Sequence, residues 1–183
     1  LFTAGSSELR NTVIAGNRAG HRGAGFYVTG GKALLINCTM ADNAQDGIYR
    51  VGGTVALTNA IVWDNGDDLD GTFDGNLIQY CNIETGGFEG VNGNLSTNPL
   101  FVDRTYYHVK SRQGHYVGGY FSGGSWESDP LDTSALIDAG DPASEYEEEP
   151  FWNGRRINLG AYGNTAVASR SRRTEWGMVF TIH

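Results

Sequence analysis

The residues Leu9-Arg10-Asn11-Thr12-Val13-Ile14-Ala15-Gly16-Asn17 return as Leu35-Ile36-Asn37-Cys38-Thr39-Met40-Ala41-Asp42-Asn43, and again as Leu57-Thr58-Asn59-Ala60-Ile61-Val62-Trp63-Asp64-Asn65. The first Asn recurs after 26 residues and then after 22, and a weaker copy, Ile78-Gln79-Tyr80-Cys81-Asn82-Ile83, begins 21 residues after Leu57. A period near 22 in strand-like units predicts a solenoid of stacked β-coils, because one such unit cannot bury its apolar face alone. Around each Asn the apolar residues alternate, as in Leu35, Asn37 and Thr39, which is the pattern of a strand with one buried face. That parity sets the Asn inward, where its amide must be hydrogen-bonded. Stacking solves this, since each amide can donate to the carbonyl of the next. Asn11, Asn37 and Asn59 are expected to form one ladder. Asn17, Asn43 and Asn65 are expected to form a second, near another corner where Asn tolerates the left-handed conformation.

A second strand follows each ladder, Gly25-Phe26-Tyr27-Val28 and then Gly47-Ile48-Tyr49-Arg50-Val51, and each runs into a Gly-Gly pair at Gly30-Gly31 or Gly52-Gly53. Twenty-seven glycines against four prolines suit such frequent tight corners. Parallel strands joined by crossovers are right-handed by default, so the expected fold is all-β, a right-handed parallel β-helix with an irregular C-terminal cap. Residues 1–86 would form the coils. Residues 87–169, where the repeat fades, would close the C-terminal end against exposed edges and apolar side chains. Residues 170–183 read as a tail or the start of a following segment, with strand-like alternation from Ser171 to Ile182.

The 183 residues suffice for one elongated domain with a sizeable core. The formal charge of −8 argues against nucleic acid or an anionic bilayer as partner. No stretch approaches the roughly 20 apolar residues of a membrane span, so membrane insertion is not expected. No cationic-then-apolar leader opens the chain, and Leu1 reads as the middle of a longer protein whose remainder is an expected partner. Cys38 and Cys81 fall in one column of the repeat, two coils apart, or roughly 10 Å at the usual strand spacing. That distance is beyond disulfide reach and predicts two buried thiols.

The chain resembles the right-handed parallel β-helix repeat proteins of bacterial surfaces and secretomes, whose fold is shared with pectate lyases. The Asn-Cys-Thr type coils carry the resemblance upstream. Downstream it rests on Asn98-Pro99-Leu100-Phe101-Val102-Asp103, Tyr107-His108-Val109-Lys110-Ser111, Ile137-Asp138-Ala139-Gly140-Asp141-Pro142 and Arg156-Ile157-Asn158-Leu159-Gly160-Ala161-Tyr162-Gly163. It covers roughly residues 9 to 169 and implies a secreted or cell-surface location and a fold more than an activity. It also implies that Phe101 and Ile137 plug the last coil, while Asp138 and Asp141 cap turns beside Gly140.

Sugar-cleaving β-helices place paired carboxylates, or calcium carboxylates with a basic residue, on one strand face. Asp64, Asp67, Asp68, Asp70 and Asp74 form the densest carboxylate cluster, and hard oxygen ligands in a Gly-rich loop suit Ca²⁺. Asp67, Asp68, Asp70 and Asp74 are therefore the candidate metal ligands, although the spacing is not that of an EF-hand and no cofactor is required. Asp67 and Asp68, with Arg50 as a base, are the candidate catalytic groups. The Gly-His-Gly turn and Arg-Ile-Lys element of a glycoside hydrolase on this fold are absent, since His21 sits in Gly20-His21-Arg22-Gly23. The four histidines lack metal-ligand spacing, and there is no Gly-x-Ser-x-Gly elbow. Among the downstream aromatics, Tyr116, Tyr120 and Trp126 are the candidate sugar contacts, against the alternative that they cover apolar surface. The functional expectation is a non-catalytic scaffold, adhesin or glycan-binding module facing a polysaccharide or cell-surface glycan. The alternative is part of a polysaccharide lyase or glycoside hydrolase whose catalytic coils lie partly elsewhere in the protein.

Overall fold

The structure, a computed structural model, describes residues 5–171. Nine short strands build the coils: β1 (Ser6–Ala15), β2 (Phe26–Val28), β3 (Lys32–Ala41), β4 (Asp46–Arg50), β5 (Thr54–Thr58), β6 (Ile61–Trp63), β7 (Asp67–Gly71), β8 (Ile78–Gln79) and β9 (Asn82–Ile83). Every pairing among them is parallel. Ser6 lies opposite Lys32, Lys32 opposite Thr54 and Leu57 opposite Ile78, so the register follows the sequence repeat. One sheet holds β1, β3, β5, β6, β8 and β9, and the other runs β2-β4-β7. The result is a parallel β-solenoid of about four turns, with no α-helix among the described residues.

The first Asn column makes the corner. Asn11, Asn37 and Asn59 have φ of 45°, 50° and 55°, and Tyr80 takes the same place in the next coil at 49°. A left-handed residue is costly for most side chains and tolerated by Asn. It also resets the strand parity, so Leu35 and Cys38 both point into the core, as do Leu57 and Ala60. The side chains on the other parity point outwards, which corrects the expected inward ladder. A single rung remains in this column, Asn59 Nδ2 donating to Asn37 Oδ1 at 3.1 Å. The other bonds go to the downstream chain: Asn11 Nδ2 donates to Ala161 O and Gly163 O, and Asn59 Oδ1 accepts from Asp141 N.

The second column forms the expected ladder. Asn17 Nδ2 donates to Asn43 Oδ1 at 3.0 Å, and Asn43 Nδ2 donates to Asn65 Oδ1 at 2.8 Å. The left-handed residue of that corner is the one before, Asp42 or Asp64, both at φ 56°. Cys38 and Cys81 are buried and unpaired, with Ala60 between them in the column. Burial pushes their thiols up, to about 11 for Cys38 and about 12 for Cys81.

The last coil is closed by residues 84–97. Leu95 bridges to Asn82, the Asn94 amide bonds Cys81 N and Ile78 O, and Phe73 and Phe88 pack on the coil core. Residues 98–171 run along the flank of the coils, not over their end. Phe101 and Ile137, expected as end plugs, pack with Ile61, Val109, Leu136 and Leu159 instead. The cause is the Asn corner, which turns Ile61 and Thr39 outward and leaves a flank that must be covered. Gly160 N donates to Asn59 O, and Ala161 N donates to Thr39 Oγ1. At Gly160, with φ 89°, a Cβ would fall 2.6 Å from Ile61 Cδ1 and 2.8 Å from Thr39 Oγ1. Gly160→Ala is therefore expected to lower stability by about 2–4 kcal/mol, read as a lower urea midpoint. An unchanged midpoint would show that the flank segment does not dock this closely.

The remaining strands, β10 (His115–Val117) and β11 (Ser125–Glu127), form an antiparallel hairpin. The strand-like alternation that begins at Ser171 lies, beyond that residue, outside the described residues.

Candidate functional site

The sheet β2-β4-β7 brings together groups far apart in sequence. Its register sets Asp67 beside Asp46, Asp70 beside Tyr49, and Tyr49 beside Tyr27. The two tyrosine rings stack with centroids 5.1 Å apart and planes 22° from parallel. Neither hydroxyl has a protein partner among the described residues. The loop before β2 folds Arg22 across this face, with its guanidinium carbon 5.3 Å from the Tyr49 ring centre and an ion pair to Asp70. Asp46 is buried, and its Oδ2 accepts from Gly23 N at 2.6 Å, which ties the same loop to β4. Next to these groups lies a depression of about 330 Å³ lined by His21, Arg22, Gln45, Asp46, Gly66 and Asp67.

One carboxylate oxygen from each of Asp46, Asp67 and Asp70 falls within 4.8 Å of the others. Three carboxylates against one guanidinium leave the site acidic. Hard oxygen donors of this number suit a divalent cation such as Ca²⁺, and these three residues are the ones that could hold it. Arg22 already balances Asp70, so a cation would compete with the guanidinium.

The sequence-predicted residues divide. Asp67 and Asp70 belong to the cluster, whereas Asp68 and Asp74 do not. Asp68 turns inward, 1% exposed, and ends the second Asn ladder. Its Oδ1 accepts from Asn65 Nδ2 at 2.9 Å, and its Oδ2 accepts from Glu84 N and Thr85 N. Burial raises its pKa against those bonds. Asp74 caps the 3-10 turn Gly75–Leu77 by accepting from Asn76 N. Arg50 donates to Gly53 O and Thr72 O, stapling a corner, which leaves no reason to read it as a base.

Tyr116 is buried, with its hydroxyl accepting from Gly124 N at 2.8 Å and its ring edge-on to Trp126. Trp126 carries the Arg170 guanidinium 4.1 Å from its ring centre. His108 stacks on Tyr162 at 3.6 Å, and its Nε2 contacts Gly119 O and Tyr120 O. Burial lowers the His108 pKa to about 4, so the ring is neutral near pH 7 and holds the hairpin loop as a donor. Of the three aromatic candidates only Tyr120 is well exposed, 46%. The others pack the hairpin.

Asp46, Arg22, Tyr27 and Tyr49 form no local cluster in the sequence. The signal that finds Asp46, Tyr27 and Tyr49 is the repeat itself, since offsets of 21 and 22 align Asp46 with Asp67 and Tyr27 with Tyr49, whereas Arg22 lies in the loop before β2 and carries no such signal. Compared with models of known protein families, with curated proteins and with solved structures, the chain matches none.

Proposed function

We propose that the chain is a non-catalytic, glycan-binding β-solenoid module of a bacterial secreted or cell-surface protein, with a right-handed coil of the pectate-lyase-like kind. The sugar seats on the β2-β4-β7 face. The observation that carries this reading is the stacked Tyr27–Tyr49 pair beside Arg22 and three carboxylates on aligned strands. Apolar ring surface with convergent polar groups is what a neutral polysaccharide needs, its hydroxyls donating to carboxylates while its C–H faces meet the rings. Parallel strands repeat such groups along the solenoid axis, which suits an extended polymer. The net charge of −8 disfavours acidic polysaccharides.

A second reading has one observation in its favour: several carboxylates with a basic residue across a depression are also what a polysaccharide lyase or hydrolase uses. Arg22 as base is disfavoured by its ion pair with Asp70, which holds its proton.

A glycan array followed by calorimetry on the best ligand tests both. Tyr49→Ala is expected to weaken binding by about ten-fold or more, the scale of one lost stacking contact, while thermal stability changes little. Binding is expected to survive EDTA, because Arg22 already neutralises Asp70. Loss of binding in EDTA with recovery in Ca²⁺ would move the site to a calcium centre at Asp46, Asp67 and Asp70. An unsaturated product accumulating from an acidic polysaccharide would replace the binding reading by the lyase reading.

A further inference from the structure

The two ends of the coil stack are chemically different. At the C-terminal end the Asn ladder runs out into Asp68, an acceptor-only carboxylate that takes Asn65 Nδ2 on one oxygen and two backbone N–H groups on the other. At the N-terminal end the ladder is open. Asn65 Oδ1 accepts both the backbone N–H and the Nδ2 of Asn43, and Asn43 Oδ1 accepts the same pair from Asn17. Each Oδ1 therefore faces the preceding coil, and Asn17 Oδ1 has no partner among the described residues. The strands end in the same way. Among the described residues β1 pairs only with β3, and β2 pairs only with β4. The apolar columns end there too: Leu9, Ile14 and Phe26 are only partly buried, whereas Leu35, Met40 and Ile48, their register partners one coil on, are fully buried.

Exposed strand edges are normally blunted by proline, by bulges or by charged side chains. No proline precedes Pro99, and the charges of Glu8 and Arg10 on β1 pair with each other. We propose that this end is a docking surface for one further parallel coil of the same repeat, entering with an Asn whose N–H and Nδ2 donate to Asn17 Oδ1. The incoming coil continues the β1–β3 interface with the same register and polarity.

The chemistry disfavours a second copy of the chain as occupant. Two copies meeting end to end through a two-fold axis would set Asn17 Oδ1 against Asn17 Oδ1 and pair the strands antiparallel. A head-to-tail copy would meet the end closed by Asp68 and residues 84–97. Residues 1–4 span roughly 13 Å at most, too short to cover the ten residues of β1. This inference does not depend on the glycan reading, since it concerns another surface.

Amide hydrogen exchange on the full chain tests it, with a synthetic peptide of residues 32–53 added in excess. Alternate amides of β1 are expected to exchange freely in the chain alone and to gain protection with the peptide. The same peptide carrying Asn43→Ala is expected to bind about five- to ten-fold more weakly, the equivalent of one or two lost hydrogen bonds. Because a free peptide must order on binding, the same segment is also fused ahead of Leu1. The proposal is overturned if neither the added nor the fused coil protects β1. It is equally overturned if β1 is already protected in the chain alone, whether through a concentration-dependent dimer or through residues 172–183, whose removal would then expose it.

Discussion

Asn43→Ala is expected to destabilise the fold by about 3 kcal/mol, which for a chain of this size is a melting-point drop of roughly 6–12 °C. Asn43 is 1% exposed and occupies the middle rung of the ladder. Its Nδ2 donates to Ile14 O at 3.0 Å and to Asn65 Oδ1 at 2.8 Å, and its Oδ1 accepts two bonds from Asn17. Alanine removes all four at once. The larger part of the effect comes from leaving the Ile14 carbonyl and the Asn17 amide without partners beside a dry core, since an unmade buried bond costs more than a made one gains. Asn17→Ala is the internal control. Its side chain is exposed at the open end and donates one of the two bonds to Asn43 Oδ1, so about 1 kcal/mol is expected. Urea denaturation checks both, and equal losses at the two positions would sink the ladder account.

The same ladder explains what could be foreseen. Coil period, register and the second Asn column were legible because each repeats, so one local rule read three times fixes the stacking. The flank was not legible. A single left-handed residue at Asn37 reverses the parity of everything after it in the coil, and alternation read straight through that residue places Thr39 inside when it faces Ala161 N. Residues 98–171 form unique contacts with that flank, and unique contacts leave no period to read. The site was half legible for a related reason. Asp67 and Asp70 stand close in sequence, but Asp46, Tyr27 and Tyr49 join them only through the sheet register, and Arg22 only through the fold of the loop before β2. Asp68 looked equivalent to its neighbours as a charge, and only its bonds to Asn65, Glu84 and Thr85 set it apart as the end of the ladder.

Glu149 makes the flank sensitive to pH. It is 4% exposed, its Oε1 accepts from Asn158 N and Asn164 N, and its Oε2 has no partner. Burial, with a smaller contribution from Asp138, raises its pKa from 4.5 to about 8. Below pH 4.5 the folded and unfolded chains both carry the proton, so the group contributes no slope. Between 4.5 and about 8 the unfolded chain releases the proton and the folded chain keeps it, so the folded state binds more protons and stability falls as pH rises. At about 1.4 kcal/mol per pH unit the loss across this window is on the order of 5 kcal/mol, and above pH 8 it levels off. Glu149→Gln keeps the acceptor for both backbone N–H groups and cannot ionise. The difference between wild type and this variant isolates the group from every other ionisable residue. Urea midpoints at pH 5, 7 and 9 should diverge progressively, with the variant the more stable at pH 9, and parallel curves would show that Glu149 ionises normally. Asn158 and Asn164 bracket Ala161 and Gly163, whose carbonyls receive Asn11 Nδ2. Ionising Glu149 therefore strains the stretch that fastens the flank to the Asn corners, and hydrogen exchange above pH 8 is expected to quicken at residues 158–164 before it quickens in the coils.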